Sequence, residues 1–406
     1  METEQKQLTE SEMIRENIRK RAEDAAKNYC TFDRMVGEAE RRNRVKHDYT
    51  LHADRLSAMV GMGKVFLGLD MEGLKGNMQT NLAGEKVDCQ AYELTKTAHT
   101  QLAKMVGIPI QYYNKLKEDR PKLLADNINA ALIMRDDELF IRELDNTIRA
   151  VLPATYNVMD DARLLPLIQK KVVQLKAEIT RCWMNETASY VMAQLPTDIS
   201  REVSVGDTMS IGVIISNSEV GMAPLEVLPQ VMRLVCSNGL IIGEAQGGYS
   251  NPHKSKNRKT AHFDNELQWA TIETLIDTSM SPKVFDKIME ALKQAQATEV
   301  RMDEKEIRKL CINHGLNGDI ATEIITVMKD SSKQNVWELI NVITAIAKER
   351  SMDERVAMEN KAYNLMASLS KPVNLSTETM EDLIEDEEDD KENEANIEER
   401  EGRELF

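Results

Sequence analysis

Four cations crowd one short stretch of this chain. In "NPHKSKNRKTAH" (251–262) they are Lys254, Lys256, Arg258 and Lys259, with Tyr249 just before them. A cationic loop leaving a strand can neutralise several backbone phosphates without reading sequence, and an adjacent aromatic can stack a base. Arg142, Arg149 and Tyr156 make a second constellation, on or just after a hairpin expected at 138–144 and 147–153. Arginine beside an aromatic on a sheet face suits phosphate contact plus base stacking. The bland alternatives are a solvated loop for the first group and a surface ion pair for the second.

Other chemistries find less support. The six histidines include no H-E-x-x-H and no compact His/Cys pair. His253 and His262 share the cationic loop, where the neighbouring charges oppose a divalent ion, so no metal or cofactor is expected. G-x-S-x-G, Walker A and C-x-x-C signatures are absent. "GMGKVFLGLDMEG" (61–73) lacks phosphate-loop spacing and reads as a loop before a strand. Glu143, Asp145, Asp160 and Asp161 are carboxylates near strand ends, where turns and helix caps use them. A metal-dependent nuclease built on Asp145, Asp160 and Asp161 is the rival reading. "SNSEVG" (216–221) is turn chemistry, with a polar pocket lining as the alternative. Cys30, Cys89, Cys182, Cys236 and Cys311 are scattered and read as free, buried thiols.

The elements that must position these residues follow from periodicity. "TKTAHTQLAKMVGIPIQYYNKL" (95–116) predicts two short helices around a Gly-Ile-Pro turn. "ELFIREL" and "TIRAVLP" flank Asp145-Asn146, a tight hairpin turn. "ARLLPLIQKKVVQL" is an amphipathic helix, and strands are expected at 178–184, 188–196, 208–218 and 239–245. Ser281-Pro282 and the Asp303/Glu306 pair are helix-start signals. The expectation is an α+β fold. It has a polar arm at 1–50 bearing "RRNRVKHDY", a mixed core domain at 51–262, a helical region at 263–371 and a disordered acidic tail at 372–406. An antiparallel sheet at about 138–250 forms the core.

The 406 residues carry a net charge of −16, with 42% hydrophobic and 30% charged residues, as in ordinary soluble proteins. Glu378 to Phe406 contains fifteen Asp/Glu and three Lys/Arg, a net of −12. The rest holds 53 acidic against 49 basic residues, only −4, so its charges are free to segregate into patches. No apolar run approaches the roughly 18–20 residues that span a bilayer, and no secretory signal is evident, so a cytoplasmic protein is expected.

A wider match emerges from "LTKTAHTQLAKMVGIPIQYYNKL", "LLADNINAAL", "IRELDNTIRAVLPATYNVMDD", "GDTMSIGVIISNSEVGMAPLEVLPQVMRLVCSNGLII" and "WELINVITAIA" in that order. From about 94 to 366 the chain resembles the uncharacterised phage/plasmid-like protein family. Pro153 and Ala154 depart from the Ser and Arg usual in that family. The resemblance implies a mobile-element setting: replication, recombination or counter-defence. In outline the fold is similar to phage single-strand annealing proteins of the RecT and Erf kind. The acidic tail likewise resembles those of single-stranded-DNA-binding proteins, where it competes for the cationic groove and recruits partners. The expected function is non-enzymatic, oligomeric binding of single-stranded DNA, leading to strand annealing or recombination. The tail would mask the site or recruit replication and recombination proteins. The alternative outside nucleic-acid handling is a protein-interaction module that inhibits a host factor.

Overall fold

The computed structural model describes residues 29–70, 79–80, 86–87, 89–196, 199–204, 207–233, 238–241, 249–251, 261–300, 302–329, 331 and 334–370. The chain opens with helix α1 (Phe32–Val45), whose N-cap Thr31 accepts a hydrogen bond from the Arg34 amide. Met35 and Ala39 bury its inner face. Strand β1 (His47–His52) follows. Residues 32–50 therefore belong to the packed fold and are no arm: the apolar positions at i and i+4 are few, but they suffice to seat α1. The part of the expected arm at 1–28 lies outside the described residues.

A six-stranded sheet forms first. Its strands are β1, β2 (Leu56–Gly61), β3 (Lys64–Asp70), β6 (Cys89–Leu94), β7 (Glu138–Leu144) and β8 (Thr147–Pro153). The order is β1-β7-β8-β6-β3-β2, antiparallel except for the β6–β8 pair. The short strands β4 (Gln79–Thr80) and β5 (Lys86–Val87) pair with each other. The glycine-rich stretch at 61–73 holds the β2–β3 hairpin turn, where Met62 and Gly63 adopt φ of 50° and 75°. Asp145 and Asn146 turn β7 into β8 with φ of 52° and 60°, the left-handed pair that tight hairpins require. Helices α2 (Lys96–Met105), α3 (Ile110–Asp119) and α4 (Pro121–Ile133) cover one sheet face. Leu67, Leu69, Leu102, Tyr113, Leu124, Ile128 and Ile141 close that core.

The second sheet follows α5 (Asp161–Gln174). It contains β9 (Glu178–Met184), β10 (Ser189–Gln194), β11 (Arg201–Ser204), β12 (Asp207–Asn217), β13 (Leu225–Arg233), β14 (Asn238–Ile241) and β15 (Tyr249–Asn251). The main path runs β14-β13-β12-β10-β9, with β11 on β12 and β15 on β13. So the single sheet expected at 138–250 is two: its first two strands serve the other sheet. Strand β13 escapes the sequence pattern because Pro229 sits in its middle. Its neighbours explain the tolerance. β15 pairs Leu225 to Val227 and β14 pairs Gln230 to Arg233, leaving the proline between them.

Helices α6 (Ala261–Ser279), α7 (Pro282–Ala297), α8 (Glu304–Asn313), α9 (Gly318–Lys329), α10 (Val336–Ala347) and α11 (Met352–Ser370) complete the fold. The start signals are met. Ser281 accepts from the Val284 amide, and Asp303 and Glu306 form a reciprocal capping box. With α1 and α5, these helices bury Val213, Ile215, Val227, Ile272, Phe285, Ile340 and Leu365 against the second sheet. The fold is α+β. Among the described residues no helix is long and apolar enough to cross a membrane. Cys182 and Cys311 are buried thiols, and desolvation pushes them up to about 12 and about 11.

Gly212 on β12 tests the sheet. A Cβ there would stand 2.2 Å from the Ala193 carbonyl oxygen on β10. Gly212→Ala must therefore open the ladder, and a loss of about 1–3 kcal/mol is expected in urea unfolding.

Candidate nucleic-acid interface

The residues expected on an exposed sheet face meet inside the protein instead. Arg142 on β7 is opposite Asp48 on β1 in the ladder, and its residue exposure is 1%. Its Nε and Nη2 donate to the two Asp48 carboxylate oxygens, both at 3.0 Å. Nη2 also reaches Asp160 Oδ1 at 2.7 Å, and Nη1 donates to the Glu219 carbonyl at 2.8 Å. Burial opposes the Arg142 charge, but Asp160 and Asp48 outweigh it and raise its pKa. Arg149 on β8 donates to Glu219 Oε2 at 3.1 Å and to the Glu186 carbonyl at 3.3 Å. The Tyr156 hydroxyl donates to the Ser218 carbonyl at 3.0 Å, while its ring stacks on Phe140 with centroids 6.1 Å apart. Arg142 and Arg149 thus face carboxylates and carbonyls. No phosphate could reach them without dismantling the junction. This corrects their placement on a solvent face, and Tyr156 has its ring and hydroxyl committed likewise.

What gathers them is the turn "SNSEVG" after β12. The Ser218 hydroxyl donates to the Thr187 carbonyl at 2.6 Å, and Gln101 of α2 donates to the Val220 carbonyl at 2.7 Å. Gly221 has φ of 69°, and a Cβ there would lie 2.8 Å from Leu152 Cδ2. The turn is a clasp between the two sheets rather than a pocket lining.

The acidic candidates are split by this arrangement. Asp145 is on the β7–β8 turn, paired with Arg41 at 3.0 Å and largely exposed. Asp160 is held by Arg142 and Lys46. Despite burial, which raises it, those two cations keep the Asp160 carboxyl below its ordinary value. Asp161 lies deepest. Its Oδ1 accepts from Ser189 Oγ and Asn217 Nδ2, each at 2.8 Å, and its amide donates to Glu219 Oε1 at 3.1 Å. Among the described residues no three His, Cys, Asp or Glu side chains form a metal-binding group. The carboxylates of the nuclease reading do not converge on one point.

The cationic loop residues Lys254, Lys256, Arg258 and Lys259 lie outside the described residues. Tyr249 begins β15, where its backbone pairs with Val227. Between α5 and α6 lies a groove of about 530 Å³, lined by Arg163, Leu167, Lys171, Trp269, Glu273 and Thr274. Its charges are balanced internally: Lys171 bonds Asp277 at 2.7 Å, and Lys170 bonds Glu273 at 3.0 Å.

One surface was missed by sequence reasoning. Helices α2 to α4 and the Arg120 junction between the last two carry Lys96, Lys104, Lys115, Lys117, Arg120 and Lys122 against Glu118, Asp119 and Asp126. All but the half-buried Lys117 are exposed. None of the six pairs with a carboxylate among the described residues, whereas nearby Lys64 and Arg135 pair with Glu93 and Asp137. The signal was the run of basic residues in 96–122, which the apolar spacing of the same segment overshadowed.

A family described as a domain of unknown function, DUF932, matches residues 150–369, more than half of the chain. The chain belongs to that family. No curated protein and no solved structure matches it. The DUF932 region runs from within β8 to the end of α11. It supplies Asp160, Asp161 and the Glu219 clasp, while Asp48 and Arg142 come from outside it.

Two outcomes follow for the junction. Removing one partner of a buried ion pair typically costs about 3–5 kcal/mol, so Arg142→Met should lower urea-unfolding stability by that order. Asp161 gives a pH signature. Desolvation first, then the nearby Glu219 charge, push its carboxyl from 3.8 up to about 7, against the Ser189 and Asn217 hydrogen bonds and the more distant Arg42. Between those values the folded chain keeps a proton that the unfolded chain releases. Stability contributed by Asp161 therefore falls as pH rises through that window and stays at its lower level above it. Asp161→Asn removes the charge. Its melting temperature should exceed the parent's at pH 8, by about one degree per kcal/mol in a chain of this size, and the two should converge near pH 4.

Proposed function

We propose that this DUF932 protein binds single-stranded DNA without catalysing a reaction. The observation that carries the reading is which elements flank a dense cationic segment. β15 ends at Asn251 and α6 begins at Ala261, and both pack on β13. Lys254, Lys256, Arg258 and Lys259 fall in the connection between these two elements. Four cations within six residues suit a run of phosphates and demand no base sequence. Tyr249 begins β15 and is the candidate for stacking.

The segregation of charge supports the same reading. A body near neutrality with an unpaired cationic helix layer and a tail of −12 can hold a polyanion although the whole chain is acidic. In this reading the tail competes with DNA for exposed cations and lowers non-productive binding. The resemblance to phage and plasmid proteins, and the outline similarity to annealing proteins, favour strand annealing or recombination as the use made of the bound strand, with copies of the chain assembled along it.

Fluorescence anisotropy of a labelled single-stranded oligonucleotide tests this, with the full chain and with residues 1–377, across a salt series. Affinity should fall steeply with salt, by a logarithmic slope of about −0.7 per phosphate neutralised. It should strengthen when the tail is removed. Replacing Lys254, Lys256, Arg258 and Lys259 with Ala should flatten the slope. Absence of binding by both forms at low salt would end the DNA reading.

A further inference from the structure

The helix layer over the first sheet has an arrangement that the fold itself does not explain. On α2, Lys96, Thr100 and Lys104 are exposed at intervals of four, one stripe along the outer face. On α3, exposed Lys115 follows Tyr112, which is 51% exposed, and both face away from buried Tyr113 and Leu116. Lys117 on α3 sits close enough to α2 that its charge, after burial, helps push His99 down to about 4. The charges of the two helices therefore form one field. Lys96 and Lys122 occupy the first turns of α2 and α4, where the helix dipole disfavours a cation. Interleaved with these charges, Ile110 is 39% and Leu123 is 45% exposed.

A surface of unpaired cations set among exposed aliphatic side chains fits a partner that is both acidic and apolar. A polynucleotide matches the cations and could stack on Tyr112, but it offers nothing for Ile110 or Leu123. Residues 378–406 offer both. They carry the net −12 and include Leu383, Ile384, Leu405 and Phe406. Reach is ample. A connection of 35 residues, the length from Ser370 to Leu405, would span about 30–35 Å as a random coil and about 120 Å at full stretch, against a radius of gyration of roughly 21 Å for a compact chain of 370 residues. Tethering also places the segment at an effective concentration on the order of millimolar, so weak contacts suffice.

We infer that the outer face of α2–α4 is the docking surface for the acidic segment Glu378–Phe406 of the same chain. Its carboxylates pair with Lys96, Lys104, Lys115, Arg120 and Lys122, and its apolar residues cover Ile110, Tyr112 and Leu123. The tail is thereby the resident polyanion of this face. The inference stands on the layer and the tail alone and needs no DNA.

The test uses the full chain with Phe406→p-benzoylphenylalanine, irradiated without DNA at low and high salt, with adducts mapped by mass spectrometry. Adducts within one chain at 96–133 are expected, and they should fade at high salt. In a second chain that also carries Lys115→Glu and Lys122→Glu, with its helix content checked by circular dichroism, the yield should drop about five-fold, as two exposed ion pairs allow. Adducts at 249–262, adducts between chains, salt-insensitive adducts, a yield unchanged by the charge reversals, or no adduct at all would each overturn the assignment. Because no DNA is present, this result is separate from that of the oligonucleotide titration.

Discussion

The guanidinium of Arg142 is the point on which the two halves of the molecule agree. It is stripped of water, and that is tolerable only while Asp48, Asp160 and the Glu219 carbonyl all stay in place. Asp48 belongs to the first sheet, Asp160 to the start of α5, and Glu219 to the turn after β12. One side chain therefore registers a strand, a helix entry and a turn against each other. The remaining junction contacts gather round it: Lys46 on Asp160, Arg149 on Glu219, and Ser189 and Asn217 on Asp161.

Much of the fold was legible because local chemistry decided it. The Asp145-Asn146 turn, the Gly107 break between α2 and α3, and the Ser281 and Asp303 helix starts depend on residues within a few positions of one another. Strand β13 was not legible, because Pro229 violates the local rule and only the gap between β14 and β15 makes it harmless. Nor was the division into two sheets, since pairing β6 with β8 in parallel joins residues more than fifty positions apart. The burial of Arg142 and Arg149 was illegible for the same reason. Arginine next to an aromatic in a strand looks alike whether the strand faces water or another sheet. Arg142 and Arg149 could be told apart from surface cations only once Asp48 and Glu219 were seen to face them.

The charges of this protein accordingly sort into two kinds. Those at the junction are neutralised in the low-dielectric interior and serve architecture. Those on α2–α4 are left to solvent and to whatever anion arrives. The excess of acid lies at the far end of the chain. That separation lets an acidic protein present cationic surfaces at all.

The boundary at residue 150 has a practical edge. It falls inside β8, between Arg149, which grips Glu219, and Val151, whose amide bonds the Gln101 side chain. A fragment cut there would expose one flank of β8, leave Glu219 without either arginine, and strand a buried carboxylate cluster with its counter-ions gone. The matched segment thus meets the preceding residues through charges that each side needs: its buried carboxylates at one face of the joint, the arginines of β7 and β8 at the other.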